Sequence, residues 1–190
     1  GRRLVEKLLQ RQDSTVYYLI LEREWPIVET LRQRWGQHAD RTVPIVGDLT
    51  QPRLGVADGD LARLKSGIDH LFHLAAIYDF KAGAEIQEKV NIQGTRNVVA
   101  FAEAIEAGCF HLTSSIAAAG LYEGVFREDM FEEAEELSNP YYRTKHESEG
   151  IVRRECSRPW RIYRPGIVVG DSRTGEMDKI DGPYYFFKLI

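Results

Sequence analysis

The 190-residue sequence is poor in cysteine, with Cys109 and Cys156 its two thiols. So few thiols exclude a disulfide framework and a cysteine-based zinc site, and no metal-ligating set is expected. They read as reduced thiols of a cytoplasmic protein. No apolar run approaches the roughly 18 residues that a membrane helix needs, so no spanning segment is expected. The sequence opens without an initiator methionine or a signal-peptide pattern. An excess of one charge is also missing. The 25 Lys+Arg stand against 29 Asp+Glu, a formal net charge of −4, and no basic stripe invites nucleic acid. What is present is a globular composition, 43% hydrophobic and 28% charged, which excludes disorder as the main state.

The length suits one domain. Gly1 runs directly into Arg2-Arg3-Leu4-Val5-Glu6-Lys7-Leu8-Leu9, whose Leu4, Val5, Leu8 and Leu9 share a helical face. At the other end lies the apolar run from Tyr184 to Ile190, with no stop signal. The expectation is a single domain over 1–190, internal to a longer chain and incomplete at both ends.

Helical and strand patterns alternate between these ends. Helices are predicted over 2–11, 25–36, 57–65, 84–107 and from Asn139-Pro140 to Glu155, where Asn suits an N-cap and Pro the first turn. Strands are predicted over 16–21, 42–46, 70–74, 110–113 and 161–163, with Gly166 to Gly170 continuing beyond the last. Such alternation implies βαβ crossovers and an α/β fold with a parallel sheet covered on both faces. The acidic stretch from Glu128 to Leu137 reads as a solvated surface segment.

Four features could carry chemistry. Tyr141 and Lys145 stand at i and i+4 on a predicted helix, one turn apart on one face. A phenol ordinarily titrates near 10; a neighbouring ammonium favours the phenolate and fits the phenol for proton transfer to or from a carbonyl oxygen. Tyr142, at i+3 from Lys145, competes for the role. Thr113-Ser114-Ser115 ends a strand, where a hydroxyl can orient a substrate oxygen. Asp48 follows Gly47 at another strand end, and Ala75-Ala76 let a flat ligand approach the backbone at a third. Each has a plainer reading: a surface pair, a turn serine, a turn or N-cap aspartate, small-residue packing. His73 and His111, inside strands, read as satisfied core histidines.

Taken together the motifs resemble the extended short-chain dehydrogenase/reductase family. Counted with an absent first strand before Gly1, the order matches: Gly47-Asp48-Leu49, then His73-Leu74-Ala75-Ala76, then Val90 to Asn97, then Thr113 to Gly120, then Tyr141 to Lys145, which begins 26 positions after Ser115. Arg164-Pro165-Gly166-Ile167-Val168-Val169-Gly170 looks like the family's nicotinamide-side loop. The resemblance covers nearly the whole chain. It implies a Rossmann-like doubly wound parallel sheet, here lacking the first strand and the C-terminal substrate domain.

It also implies roles for individual residues. Ser115 would orient the substrate carbonyl, Tyr141 would be the general acid, and Lys145 would tune Tyr141 and hold the nicotinamide ribose. Asp48, followed by Leu49, would contact adenine. Ala75, Ala76, Pro165, Gly166 and Ile167 would line the cofactor, and Asn91 would be structural or part of a proton relay. Within the family, Gly47 to Gly55 and Tyr163 to Val168 look like the fatty acyl-CoA reductase and thioester-reductase branch, the male sterility type. That branch implies NAD(P)H-dependent reduction of an acyl thioester or another lipid-like carbonyl, a small-molecule partner. The family often dimerises through helices, and no face of this sequence marks such a contact. Sugar-nucleotide epimerases and dehydratases share the core, but Ala119 stands where many of them have Tyr before Gly. A non-catalytic nucleotide sensor is the reading of another class; such proteins usually lose the Tyr or Lys.

The family's Gly-rich phosphate loop is where the pattern breaks. Gly1 looks like its last glycine, and the others are absent. Cofactor choice rests on the end of the strand before Glu22, where acid binds a ribose diol and Arg a 2′-phosphate. Leu21-Glu22-Arg23 offers both, with Glu22 placed 21 positions after Gly1. The branch favours NADP(H) over NAD(H).

Overall fold

The computed structural model describes residues 1–77, 83–177 and 184. The predicted apolar end, from Tyr185 onward, therefore lies outside the described residues. Among the described residues five strands alternate with helices, as the periodicity predicts: α1 (Arg2–Leu9), β1 (Val16–Ile20), α2 (Ile27–Trp35), β2 (Thr42–Val46), α3 (Asp58–Leu64), β3 (His70–His73), α4 (Ala84–Gln87), α5 (Gly94–Ala104), β4 (Cys109–Thr113), α6 (Pro140–Glu155) and β5 (Trp160–Tyr163). No helix among the described residues is long and apolar enough to cross a membrane.

Every strand pair is parallel. They form two sets, β2–β1 and β3–β4–β5, with no ladder between them among the described residues. In the doubly wound order 3-2-1-4-5-6 these sets flank the central strand.

Alternation along the strands sorts the core into two layers. On one face, Ile45 of β2, Leu54, Val56 and Leu64 meet Val98, Val99, Phe101 and Ala102 of α5, Phe110 and Leu112 of β4, and Ile151 and Val152 of α6. This single cluster draws on both strand sets. On the other face, Leu9 of α1 and Trp35 of α2 pack with Ala39, Val16 and Tyr18. The last carbonyls of α1 are met by side chains: Ser14 Oγ donates to Leu8 O at 2.7 Å and Arg41 Nη2 to Leu9 O at 2.6 Å. At the head of α6, Asn139 Oδ1 accepts from Tyr141 N at 2.8 Å, with Pro140 in the first turn.

Three elements depart from expectation. The long helix over 84–107 is interrupted: α4 passes into a π-helical stretch, Glu88–Gln93, before α5 begins. It also stops at Ala104, because Glu106 turns into positive φ (56°). Residues 166–170 form no strand. Pro165 has no N–H for a ladder, and Ile167, Val168 and Val169 are 71%, 77% and 57% exposed. The acidic stretch keeps its carboxylates outside, but Met130 and Phe131 anchor it in the interior. Gly120, upstream of that stretch, bridges to it at Glu135: its φ is 64°, and a Cβ there would meet Glu135 O at 1.7 Å.

Candidate active site

The C-terminal ends of the strands gather the residues singled out by sequence. After β2, Gly47 N donates to Ile20 O at 2.9 Å. A Cβ on Gly47 would lie 2.6 Å from Leu54 O, so only glycine fits. Asp48 follows, with Oδ1 accepting from Thr50 N at 2.8 Å and Thr50 Oγ1 at 2.9 Å. These bonds hold its carboxyl below the usual range, helped by the charges of Arg23 and Lys89. The plain turn reading of Asp48 is therefore true, and the Arg23 charge lies near enough to act on it. Glu22 and Arg23 stand exposed on a short 3₁₀ turn after β1. Leu49 packs against the main core, and its carbonyl accepts from Asn97 Nδ2 of α5 at 2.7 Å. Gly1 caps α1 beside the end of β3, where its Cβ would lie 4.0 Å from Leu74 Cδ1.

The second group surrounds a small cavity between the sheet and α5 and α6. Its walls include His73, Ala75, Ala76, Ser114, Lys145 and Ser148, and its volume of about 10 Å³ is near that of one water site. Lys145 is buried there and donates to Thr113 O at 3.3 Å. Its Nζ lies 6.0 Å from the centroid of the Tyr141 ring, one helical turn back. Burial lowers the Lys145 pKa, and the Glu149 carboxylate one turn further on opposes that.

Glu149 is itself fully buried and forked by Arg164, whose Nη2 and Nε reach it at 2.7 and 3.0 Å. Arg164 Nη2 also donates to Met130 O at 2.9 Å, which ties the loop after β5 to the acidic segment and to α6. In that loop Pro165 O accepts from Ile116 N at 3.1 Å, and Gly166 and Ile167 lie exposed.

The π-helical stretch explains much of this wall. Asn91 Oδ1 accepts from Ile77 N at 2.8 Å, and Nδ2 donates to Ile77 O at 2.9 Å and to Thr144 Oγ1 at 3.3 Å. Asn91 thus clamps the chain after Ala75-Ala76 to α6. Its own carbonyl accepts from Thr95 Oγ1 at 2.5 Å and Ser148 Oγ at 2.8 Å. The Thr95 hydroxyl has one proton and gives it to Asn91, so His73 Nε2–H must donate to Thr95 Oγ1, 3.1 Å away. Burial first and the Lys145 charge second push His73 down to about 4, which keeps it neutral.

Ser115 and its neighbour Ser114 have different surroundings. Ser115 Oγ accepts from Ala117 N at 3.1 Å and caps a short turn. Ser114 lines the cavity, and among the described residues its buried Oγ has no hydrogen-bond partner. Strand alternation could have found it, since Ser114 shares the face of Phe110 and Leu112. His73 is the satisfied core histidine that its place inside a strand suggests, whereas Thr95, Ser148 and the Glu149–Arg164 pair were missed, because nothing in their local spacing marks them. Beside small Ala75 and Ala76, the orphaned Ser114 hydroxyl gives the cavity a polar wall at the strand ends.

The fold is a Rossmann-like α/β NAD(P)-binding domain of the extended short-chain dehydrogenase/reductase type. The chain belongs to the male sterility protein family of NAD-binding domains, whose model matches residues 1–190. A linear gramicidin synthase from Brevibacillus parabrevis is 33% identical over 196 aligned residues, covering 95% of this chain and 4% of that protein. The fatty acyl-CoA reductase wat of Drosophila melanogaster is 22% identical, over 96% of this chain and 44% of its own. Among solved structures, the terminal R domain of the myxalamid PKS-NRPS pathway superposes with a TM-score of 0.77 at 30% identity, over 90% of this chain and 46% of that one. The chain therefore spans less than half the length of these relatives.

Proposed function

We propose that this chain carries the nicotinamide-binding part of a reductase that acts on an acyl thioester or a lipid-like carbonyl. The observation that supports it best is the buried Lys145 ammonium, held by Thr113 O and set 6.0 Å from the Tyr141 ring at the strand ends. The bound nicotinamide supplies the hydride. Tyr141 donates a proton to the substrate oxygen, and the Lys145 charge eases its loss from the phenol. Ser115 accepts from Ala117 N and keeps its own proton to donate to the same oxygen. Asp48 and Leu49 would hold adenine, Ala75 and Ala76 would flank the dinucleotide, and Pro165 to Ile167 would lie on its nicotinamide side. Arg23 offers a cation for a 2′-phosphate, which favours NADP(H). The similarity to the R domain of a PKS-NRPS pathway and to an acyl-CoA reductase supports a thioester as the group reduced.

A fluorescence titration of the protein with NADPH and NADH tests the cofactor, with NADPH expected to bind more tightly. In thioester reduction, Tyr141→Phe should lower turnover by roughly 10²–10⁴-fold with cofactor affinity retained. Turnover near wild type would remove Tyr141 from the mechanism.

A further inference from the structure

The sheet face turned away from α5 and α6 carries a second cluster of chemistry-bearing side chains. His70 opens β3 and Cys109 opens β4, and the two are register partners across the ladder. His111 stands two residues further along β4 on the same face, since Phe110 and Leu112 point into the core between them. One ligand atom from each of His70, Cys109 and His111 can be chosen so that all lie within 4.8 Å of one another. The two imidazoles face each other, His70 Nδ1 to His111 Nε2, at 3.1 Å.

His111 is unusually well held for a strand histidine. Its ring stacks on Phe72, centroids 4.3 Å apart, and on Tyr163 at 5.9 Å. Its Nδ1 lies 2.9 Å from the Tyr163 hydroxyl. That bond fixes the ring orientation and leaves Nε2 aimed at His70. A neighbour that holds the far nitrogen of an imidazole is the usual support of a metal-bound histidine. His70 is exposed, so the pair opens to solvent.

We propose that His70, Cys109 and His111 form a binding site for a borderline-soft divalent cation, with zinc the best match to two imidazoles and a thiolate. Zinc bonds of about 2.0–2.1 Å to nitrogen and 2.3 Å to sulfur, at tetrahedral angles, place the nitrogens about 3.3 Å apart and sulfur about 3.6 Å from each. The nitrogen pair, at 3.1 Å, is near that spacing, and the three residues offer ligand atoms within 4.8 Å of one another. On binding, the Cys109 S–H bond breaks as the metal–sulfur bond forms, and the proton goes to solvent. His70 carries its proton on Nε2 and gives Nδ1 to the metal, His111 gives Nε2, and water fills the fourth position. The site sits on the opposite sheet face from the Lys145 cavity, so it clips β3 to β4 and takes no part in hydride transfer.

The test is titration of the reduced, metal-stripped protein with Co(II), followed by Zn(II). One Co(II) per chain is expected, with tetrahedral ligand-field bands and a thiolate-to-cobalt charge-transfer band that Zn(II) abolishes. Cys109→Ser should lose the charge-transfer band, while Cys156→Ser keeps it. Exposed His70→Ala should weaken binding at least about tenfold and Tyr163→Phe by about the same factor. Zn(II) should raise the melting temperature of the wild type and leave that of His70→Ala where it was. No charge-transfer band in the wild type, a band that survives Cys109→Ser or vanishes in Cys156→Ser, or affinity indifferent to His70→Ala would each overturn the proposal. Should Cys109→Ser fail to fold, the wild-type spectrum and His70→Ala decide.

Discussion

Burial governs the chemistry of single residues in this site. An unfolded chain protonates His73 near 6.5, whereas the fold holds it down to about 4. Acid therefore protonates the unfolded chain first. Stability from this group is whole above 6.5 and falls as pH drops toward 4, by roughly 3 kcal/mol in all. Urea unfolding at neutral pH and near the lower limit should show His73→Gln losing less stability than the wild type over that interval; equal losses would mean that His73 titrates freely. The Glu149–Arg164 pair obeys a different rule. Glu149 is fully buried, so Arg164→Met strands a carboxylate and should cost about 3–5 kcal/mol. Adding Glu149→Met removes the stranded charge and should restore much of the loss. A double variant as unstable as Arg164→Met alone would show that packing against Phe126, 5.0 Å from the guanidinium, matters more than charge.

At the scale of elements, the π-helical stretch Glu88–Gln93 is the feature with most consequence. One wider turn releases the Asn91 carbonyl to Thr95 and Ser148 and aims the Asn91 amide at Ile77. Asn91→Leu would leave the Ile77 N–H and C=O without those partners, at a cost of about 1–3 kcal/mol. Because Ile77 follows the Ala75-Ala76 turn, dinucleotide affinity should fall as well, measured by the same NADPH titration. Unchanged stability and affinity would show that water replaces the clamp. The sequence made the regular elements legible: β-branched runs marked the strands, and Asn139-Pro140 marked the head of α6 to the residue. It could not show the π turn, which keeps an ordinary helical pattern of apolar residues. Tyr141 and Lys145 were legible because both sit on one helix. His70, Cys109 and His111 were not, and the scarcity of cysteine argued against any metal set. Their proximity comes from β3–β4 register, which brings together residues some forty positions apart.

For the whole molecule, the question is whether two strand sets without a common ladder behave as one unit. The packing argues that they do. Phe101, Val98 and Ala102 of α5 lie in the same cluster as Ile45 of β2 and Phe110 of β4. Hydrophobic burial needs no continuous ladder, so α5 couples the sets through side chains alone. Phe101 is 6% exposed, and Phe101→Ala should cost about 3–5 kcal/mol. Two tryptophans report on the two sides: Trp35 packs with α1 and β1, and Trp160 opens β5. In variants that keep one of these two and have Phe at the other tryptophan positions, both denaturation curves should move to lower urea together and stay superimposed. If Phe101→Ala shifted the Trp160 transition and left the Trp35 transition in place, β1–β2 with α1 and α2 would be a separate folding unit. The nucleotide groups expected at Asp48 and at Lys145 would then be held by two bodies free to move apart, and affinity for the dinucleotide would fall with that coupling.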